Sequence, residues 1–195
     1  MFEIPVSVTI EDREYPIRNK GDYRMVLDCF DALNDSQLSQ ENRIVTALII
    51  FYDNVNDERD LLSFFGTNLE KPVLEMFKFF NCGQDNPPGS QTPYKLVDWK
   101  QDSQLIAAAV NNVANKEIRV EPYIHWWTFM GYYLSIGESA FSTVVEIRSK
   151  IKKGKKLEKY EQEYKRSNPQ YFVWDSSTVG DNEAMDLVSQ IWNKG

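Results

Sequence analysis

The chain holds a single histidine, His125, and two cysteines, Cys29 and Cys82, so any imidazole or thiol chemistry must run through these three side chains. His125 lies between Ile124 and Trp126 in an apolar run, with no His or Cys four residues away to share a metal on one helix face. The cysteines have neither a paired spacing nor metal-ligand neighbours, and nothing local activates either thiol. A cysteine–histidine nucleophilic pair stays open only as an arrangement made by the fold. Asp57, Glu58 and Asp60 sit in a polar stretch and read as solvated carboxylates. Gly154-Lys155-Lys156-Leu157 lacks the upstream glycine and the following Ser/Thr of a phosphate-binding loop. The pattern predicts no catalytic residue, no cofactor and no metal.

The charge that could act on a partner is concentrated elsewhere. Residues 148–166 carry nine Lys/Arg against three Glu in a chain whose net charge is −7, so the protein is dipolar. The run from Arg148 to Lys159 has three readings: a solvated helix face neutralised by Glu158, Glu161 and Glu163, a docking surface for an acidic protein through Lys152, Lys153, Lys155 and Lys156, or a nucleic-acid contact. The last is disfavoured, because the rest of the chain repels phosphate and the nearby aromatics recur at core spacing.

Upstream of the basic run, PYIHWWTFMGYYLSIG places no Asp, Glu, Lys or Arg between Tyr123 and Gly137. It is shorter than the ~18 apolar residues a membrane crossing needs, so it reads as a helix wrapped by protein, starting at Pro122. Tyr123, Trp127, Met130 and Leu134 form one stripe, and Trp126, Phe129 and Tyr133 a second. Either both stripes are core, or the stripe of Trp126, Phe129 and Tyr133 stays open as a groove for a partner's apolar helix.

Other elements must position these. IPVSVTI and Tyr15-Pro16-Ile17 flank a polar EDRE and read as an N-terminal β-hairpin over 4–17. Helical periods follow from Asp22, from Ser39 as a cap, over Leu61 to Phe65, and from Pro72 in a first turn to Gly83 as a stop. The Pro- and Gly-rich stretch 83–97 is an internal loop. Asp98 with Gln101, and Ser135 with Glu138, have capping-box spacing ahead of two further helices, the second carrying Phe141, Val144, Val145, Arg148 and Ile151 on one face. Gly154 predicts a bend or break, and Asn168-Pro169 a stop, before an extension ending in the apolar row Met185, Val188, Ile191 and Trp192. That row docks either on its own domain or on a partner. The opening MFEIPVSV has no basic n-region or long apolar h-region, which places the protein in the cytosol of the cell that makes it.

An ordered set of short motifs resembles a known family. Tyr15-Pro16-Ile17, Asp22-Tyr23-Arg24, Asp98-Trp99 with Asp102, His125-Trp126-Trp127 with Phe129, Phe141, Ile147-Arg148 and Gly154-Lys155-Lys156-Leu157 are similar to the tail assembly chaperones of long-tailed bacteriophages and prophages of Gram-positive bacteria, encoded just upstream of the tape-measure gene. The resemblance covers most of residues 1–166. It implies a non-enzymatic chaperone in the host bacterial cytoplasm that binds the tape-measure protein, helps recruit tail tube subunits, and is absent from the mature virion. The alternatives are a nucleic-acid-binding regulator using 148–159 and a small hydrolase built on His125.

The expected fold is mainly α: a compact multi-helix domain over 1–166 with a small N-terminal β-hairpin, and a C-terminal extension over 167–195. The candidate partner contacts are Trp126, Phe129, Tyr133, Lys152, Lys153, Lys155, Lys156, Met185, Val188, Ile191 and Trp192, with self-association open and no membrane partner.

Overall fold

In the computed structural model, residues 3–84 and 95–174 are described. The fold is mainly helical with an N-terminal hairpin, as the periods predict: eight α-helices and two strands among the described residues. Strands β1 (Ser7–Ile10) and β2 (Arg13–Pro16) pair antiparallel with Val8 opposite Tyr15 and Ile10 opposite Arg13. Glu11 and Asp12, at φ 53° and 64°, form the two-residue turn whose twist matches the strands. The helices are α1 (Tyr23–Leu33), α2 (Gln40–Phe51), α3 (Glu58–Phe65), α4 (Glu70–Phe80), α5 (Ser103–Ala114), α6 (Trp126–Leu134), α7 (Ala140–Lys152) and α8 (Lys159–Ser167).

The chain groups into two compact units. Among the described residues the first comprises 3–84 and 123–130, and the second 95–122 and 131–174. In the first, α1 packs along α2, and α4 lies against α2 and β1, which gives the hairpin the support an isolated two-stranded unit lacks. Its core is Val26, Cys29, Leu48, Phe51, Tyr52, Leu61, Met76 and Phe79. In the second, α5 packs against α7 and the short turn Ile118–Val120, around Ile106, Val110, Ile118, Val144 and Ile147.

Several predicted signals hold. The helical period from Asp22 is α1, Ser39 caps α2 through its side chain, Pro72 sits in the first turn of α4, and Gly83, at φ +78°, closes it with an N–H bond to the Lys78 carbonyl. The break at Gly154 is real: α7 ends at Lys152 and Gly154 takes φ +65°.

Three helix starts differ from the sequence reading. The aromatic helix begins at Trp126 and not at Pro122, because Ile124 gives its N–H to the Asp22 carboxylate (3.0 Å) and its carbonyl to the Tyr23 N–H (2.9 Å). With both groups taken by the start of α1, residue 124 has none left for a helix of its own. Asp98 closes a turn, accepting from Lys100 and Gln101, and α5 starts only at Ser103, behind Asp102. Ser139 with Ser142, and not Ser135 with Glu138, forms the box ahead of α7, while the Ser135 hydroxyl donates back to the Gly131 carbonyl. The row Met185, Val188, Ile191 and Trp192 lies outside the described residues, as does most of the loop 83–97.

Candidate functional site

The first unit gathers the N-terminal motif and the His-Trp-Trp motif at one place. Asp22, 6% exposed, accepts from the Arg24 backbone as helix cap, pairs with the Arg24 guanidinium at 3.1 Å and takes the Ile124 N–H. The Tyr23 ring stacks parallel on Phe129, with centroids 4.7 Å apart. Chain approach at this point is close enough to demand Gly21, whose φ is +77° and whose missing Cβ would lie 2.7 Å from the Phe79 ring.

His125 is buried with both nitrogens engaged. Its Nε2 lies 2.9 Å from the Pro5 carbonyl, an acceptor only, so Nε2 carries the proton and donates. Nδ1 then accepts the Trp127 backbone N–H at 3.1 Å. Burial pushes the imidazole below its ordinary pKa, opposed by the Pro5 carbonyl and Asp22, which favours this neutral tautomer. No lone pair is left for a metal or a nucleophile. Burial also pushes the Cys29 and Cys82 thiols up, away from the reactive thiolate. Among the described residues no group of three or more His, Cys, Asp or Glu could hold a metal ion.

The two tryptophans act on the end of α4. The last carbonyls of a helix lack internal partners, and here the Trp126 indole donates to the Phe80 carbonyl (2.8 Å) while the Trp127 indole donates to that of Phe79 (2.9 Å). Trp126 and Phe129 are 1% and 2% exposed, stacked on each other and packed by Phe30 and Tyr23. That burial leaves the proposed groove no surface on these two residues. Trp127 and Met130 of the other stripe are half-buried, and Tyr123 and Leu134 are exposed.

The second unit joins its motifs around Arg148. The guanidinium makes two bonds to the Asp102 carboxylate, 2.6 and 2.9 Å, in a pair 4% and 0% exposed. Two further N–H groups go to the carbonyls of Leu96 (2.9 Å) and Tyr171 (2.8 Å), and the Trp174 ring covers it at 4.2 Å. Asp98 is held beside this pair: burial would raise its carboxyl, but the Gln101 N–H and the Lys95 ammonium at 2.9 Å keep it below the ordinary range. Arg148 therefore belongs to the core and not to the basic face its place in the sequence suggested. Tyr133 is half-buried between Trp99 and Phe141, at 5.1 and 5.7 Å.

Beyond Arg148 the basic run divides again. Lys150 pairs with Glu146 (2.9 Å) and Glu161 (2.5 Å), and Glu161, itself 1% exposed, also accepts the Glu158 N–H to cap α8. The Lys150 ammonium, then the Glu158 N–H, hold the Glu161 carboxyl below its usual range. Two acids are thus engaged by one lysine. Lys152, Lys153, Lys155, Lys156 and Lys159 are exposed, and none has an ion-pair partner among the described residues. Exposed Ile151 and Tyr160, 38% and 60%, flank them, and N–H bonds from Gly154 to Ile151 and from Lys155 to Lys150 fix the turn between the helices.

Motifs scattered along the chain thus assemble into two buried clusters, and the lysines form an open corner. A family model described as Bacteriophage Gp15 protein matches residues 2–172. The chain belongs to that family. Its members are tail assembly chaperones, so this Gp15-family chain is a non-enzymatic chaperone that interacts with tail components, and nothing in the match favours nucleic acid. No curated protein and no solved structure matched it. Among the described residues, no helix is long and apolar enough to cross a membrane.

Proposed function

We propose that the chain binds the tape-measure protein in the host bacterial cytoplasm, keeps its apolar helix faces from associating, and yields it to tail tube subunits, so that the chaperone is absent from the mature virion. A long helix-forming client exposes apolar stripes until the tube surrounds it, and a reversible cover prevents aggregation. The docking surface in this reading is the α7–α8 corner: Lys152, Lys153, Lys155 and Lys156 with Ile151 and Tyr160. Its support is one observation, that Glu146 on the surface and buried Glu161 are both paired with Lys150 while the other lysines stay open. Lysine charge next to exposed apolar side chains suits a helix bearing carboxylates beside its apolar stripe. The row Met185, Val188, Ile191 and Trp192 is proposed as a second contact, on the 167–195 extension whose first residues, Tyr171 and Trp174, close over Arg148.

The test is co-expression of the tape-measure protein with and without this chain. Soluble tape-measure protein only in the presence of the chain is the expected result, and equal insolubility in both arms overturns the reading. Mass spectrometry of purified particles should find the tape-measure protein without the chaperone.

A further inference from the structure

Trp174 and the residues just before it fill a site in the second unit whose walls are held without them. The Arg148 guanidinium is fixed by Asp102 and the Leu96 carbonyl, and the Lys95 ammonium by Asp98 at 2.9 Å. Both cations lie over the Trp174 ring, 4.2 and 5.6 Å from its centroid. Each is already neutralised by a buried carboxylate, so the slot suits an aromatic face better than an anion. Beside it, Gln101 Nε2, in the turn ahead of α5, donates to the carbonyls of Gln170 and Val173 at 2.8 Å each, and Arg148 Nε donates to that of Tyr171 at 2.8 Å. None of these bonds reads a side chain. They would hold any segment of the same backbone course, and the ring slot would select for an aromatic.

The chain's own segment fits this site imperfectly. Gln101 Oε1 is buried and accepts no hydrogen bond, and a segment that offered it an N–H would satisfy the amide on both atoms. Beyond the short turn Pro169–Tyr171, residues 173 and 174 belong to no helix or strand, and Val173 is 70% exposed.

We propose that this slot is a binding site for a short peptide segment with an aromatic anchor, that residues 170–174 fill it in the free chain, and that a segment of the client takes their place. Because the walls are fixed in advance, an incoming segment has only itself to order. The extension supplies the link to the client: ten residues, 175–184, separate Trp174 from the row Met185, Val188, Ile191 and Trp192. A client held by that row is tethered near the slot. Its second contact then forms at the roughly millimolar effective concentration of a short linker, the same scale on which the chain's own segment competes. The client's part rests on the chaperone reading. The slot itself does not.

Fluorescence anisotropy with a labelled peptide of residues 168–177 tests the slot on the full chain. The Trp174→Ala protein should bind the peptide saturably, and the wild type at least about tenfold more weakly, because its own segment competes. A peptide carrying Trp174→Ala should bind the same protein about tenfold more weakly than the intact peptide. Adding Gln101→Leu to the protein should weaken binding of the intact peptide while leaving Arg148 and Asp102 in place. No saturable binding to the Trp174→Ala protein, equal binding of the two peptides, or binding untouched by Gln101→Leu overturns the slot. Hydrogen exchange on the wild type needs no variant: the amides of residues 172–174 should exchange orders of magnitude faster than those inside α5 and α7. Protection equal to those helices would make the segment a fixed part of the fold and overturn its release.

With tape-measure protein bound to the full chain, exchange at residues 172–174 should rise further, and excess peptide should weaken the complex several-fold. A client that binds and leaves exchange there unchanged overturns its place in the slot. If no form of the chain holds the client soluble, the chaperone reading fails and takes the client's part with it, and the anisotropy result decides the slot by itself.

Discussion

Arg148 and Asp102 stand 46 positions apart in the chain and meet in a two-bond ion pair with both side chains buried. The pair ties α7 to the start of α5. Two further guanidinium N–H groups hold the carbonyls of Leu96 and Tyr171, so one side chain gathers three separate stretches of the second unit. Removing one partner leaves an uncompensated buried charge, at a cost of about 3–5 kcal/mol. Arg148→Met and Asp102→Leu should each destabilise on that scale in chemical denaturation. The double variant should recover much of the loss, since apolar replacement of both partners removes the unpaired charge. Arg148→Lys should recover little, because an ammonium cannot supply the planar two-bond geometry and the two carbonyl contacts together.

Arg148 also shows how far the sequence could be read. The helical period placed it on the stripe of Phe141, Val144 and Ile151, while the charge count placed it in a basic run, and only the fold shows that the period was the better guide. Asp102 gives no local sign of its role, since its partner is remote. The hairpin, the helical period from Asp22, the cap at Ser39, and the stops at Gly83 and Gly154 are legible, because each depends on residues within a turn or two. The starts at Pro122, Asp98 and Ser135 differ for separate reasons: Ile124 is held by Asp22 and Tyr23 from far along the chain, the Asp98 carboxylate closes a turn as readily as it would begin a helix, and the Ser135 hydroxyl donates back to Gly131. The open corner was legible as charge. That Lys150 lies outside it was not, because Glu161 reaches it from another helix.

The twin indoles at the end of α4 predict unequal costs. Trp126→Ala should destabilise by about 3–5 kcal/mol, as it opens a large cavity and frees the Phe80 carbonyl. Trp127→Ala should cost less, because that ring is half-buried. Trp126→Phe should isolate the lost hydrogen bond at about 1–3 kcal/mol. Urea melts of the three variants check the order, and a Trp126→Ala protein with wild-type stability and no partner binding would restore the groove.

His125 predicts a pH dependence with a definite sign. Its folded pKa lies below the ordinary 6.5, chiefly through burial, so the unfolded chain binds the proton more tightly. The stabilisation is fully present above about pH 6.5 and is lost as pH falls from there through the folded value. Protonating Nδ1 also removes the acceptor of the Trp127 N–H at the start of α6. Stability followed by urea midpoint should fall over this window in the wild type. His125→Gln, which can keep a donor toward Pro5, should fall less steeply; equal slopes in the two proteins would assign the dependence to other groups.

Gly21 offers the sharpest test of the contact between the N-terminal motif and His-Trp-Trp. A Cβ there would stand 2.7 Å from the Phe79 ring and 3.0 Å from His125 Nε2, and φ +77° strains any L side chain. The Phe79 ring cannot swing away freely, because it packs against Phe51, His125 and Trp127. The backbone term costs about 1–3 kcal/mol and the collision adds to it, so Gly21→Ala should destabilise by about 2–4 kcal/mol. Glycine also loses entropy that alanine does not, which works in alanine's favour, so a neutral result would mean that the approach of residues 21 and 125 is looser than the structure has it. Gly154→Ala is the matched control: it has the same sign of φ, at +65°, but nothing within 4 Å of the added Cβ. It should therefore show the backbone term alone, and the difference between the two melts measures how tightly His125 and Phe79 close over Gly21.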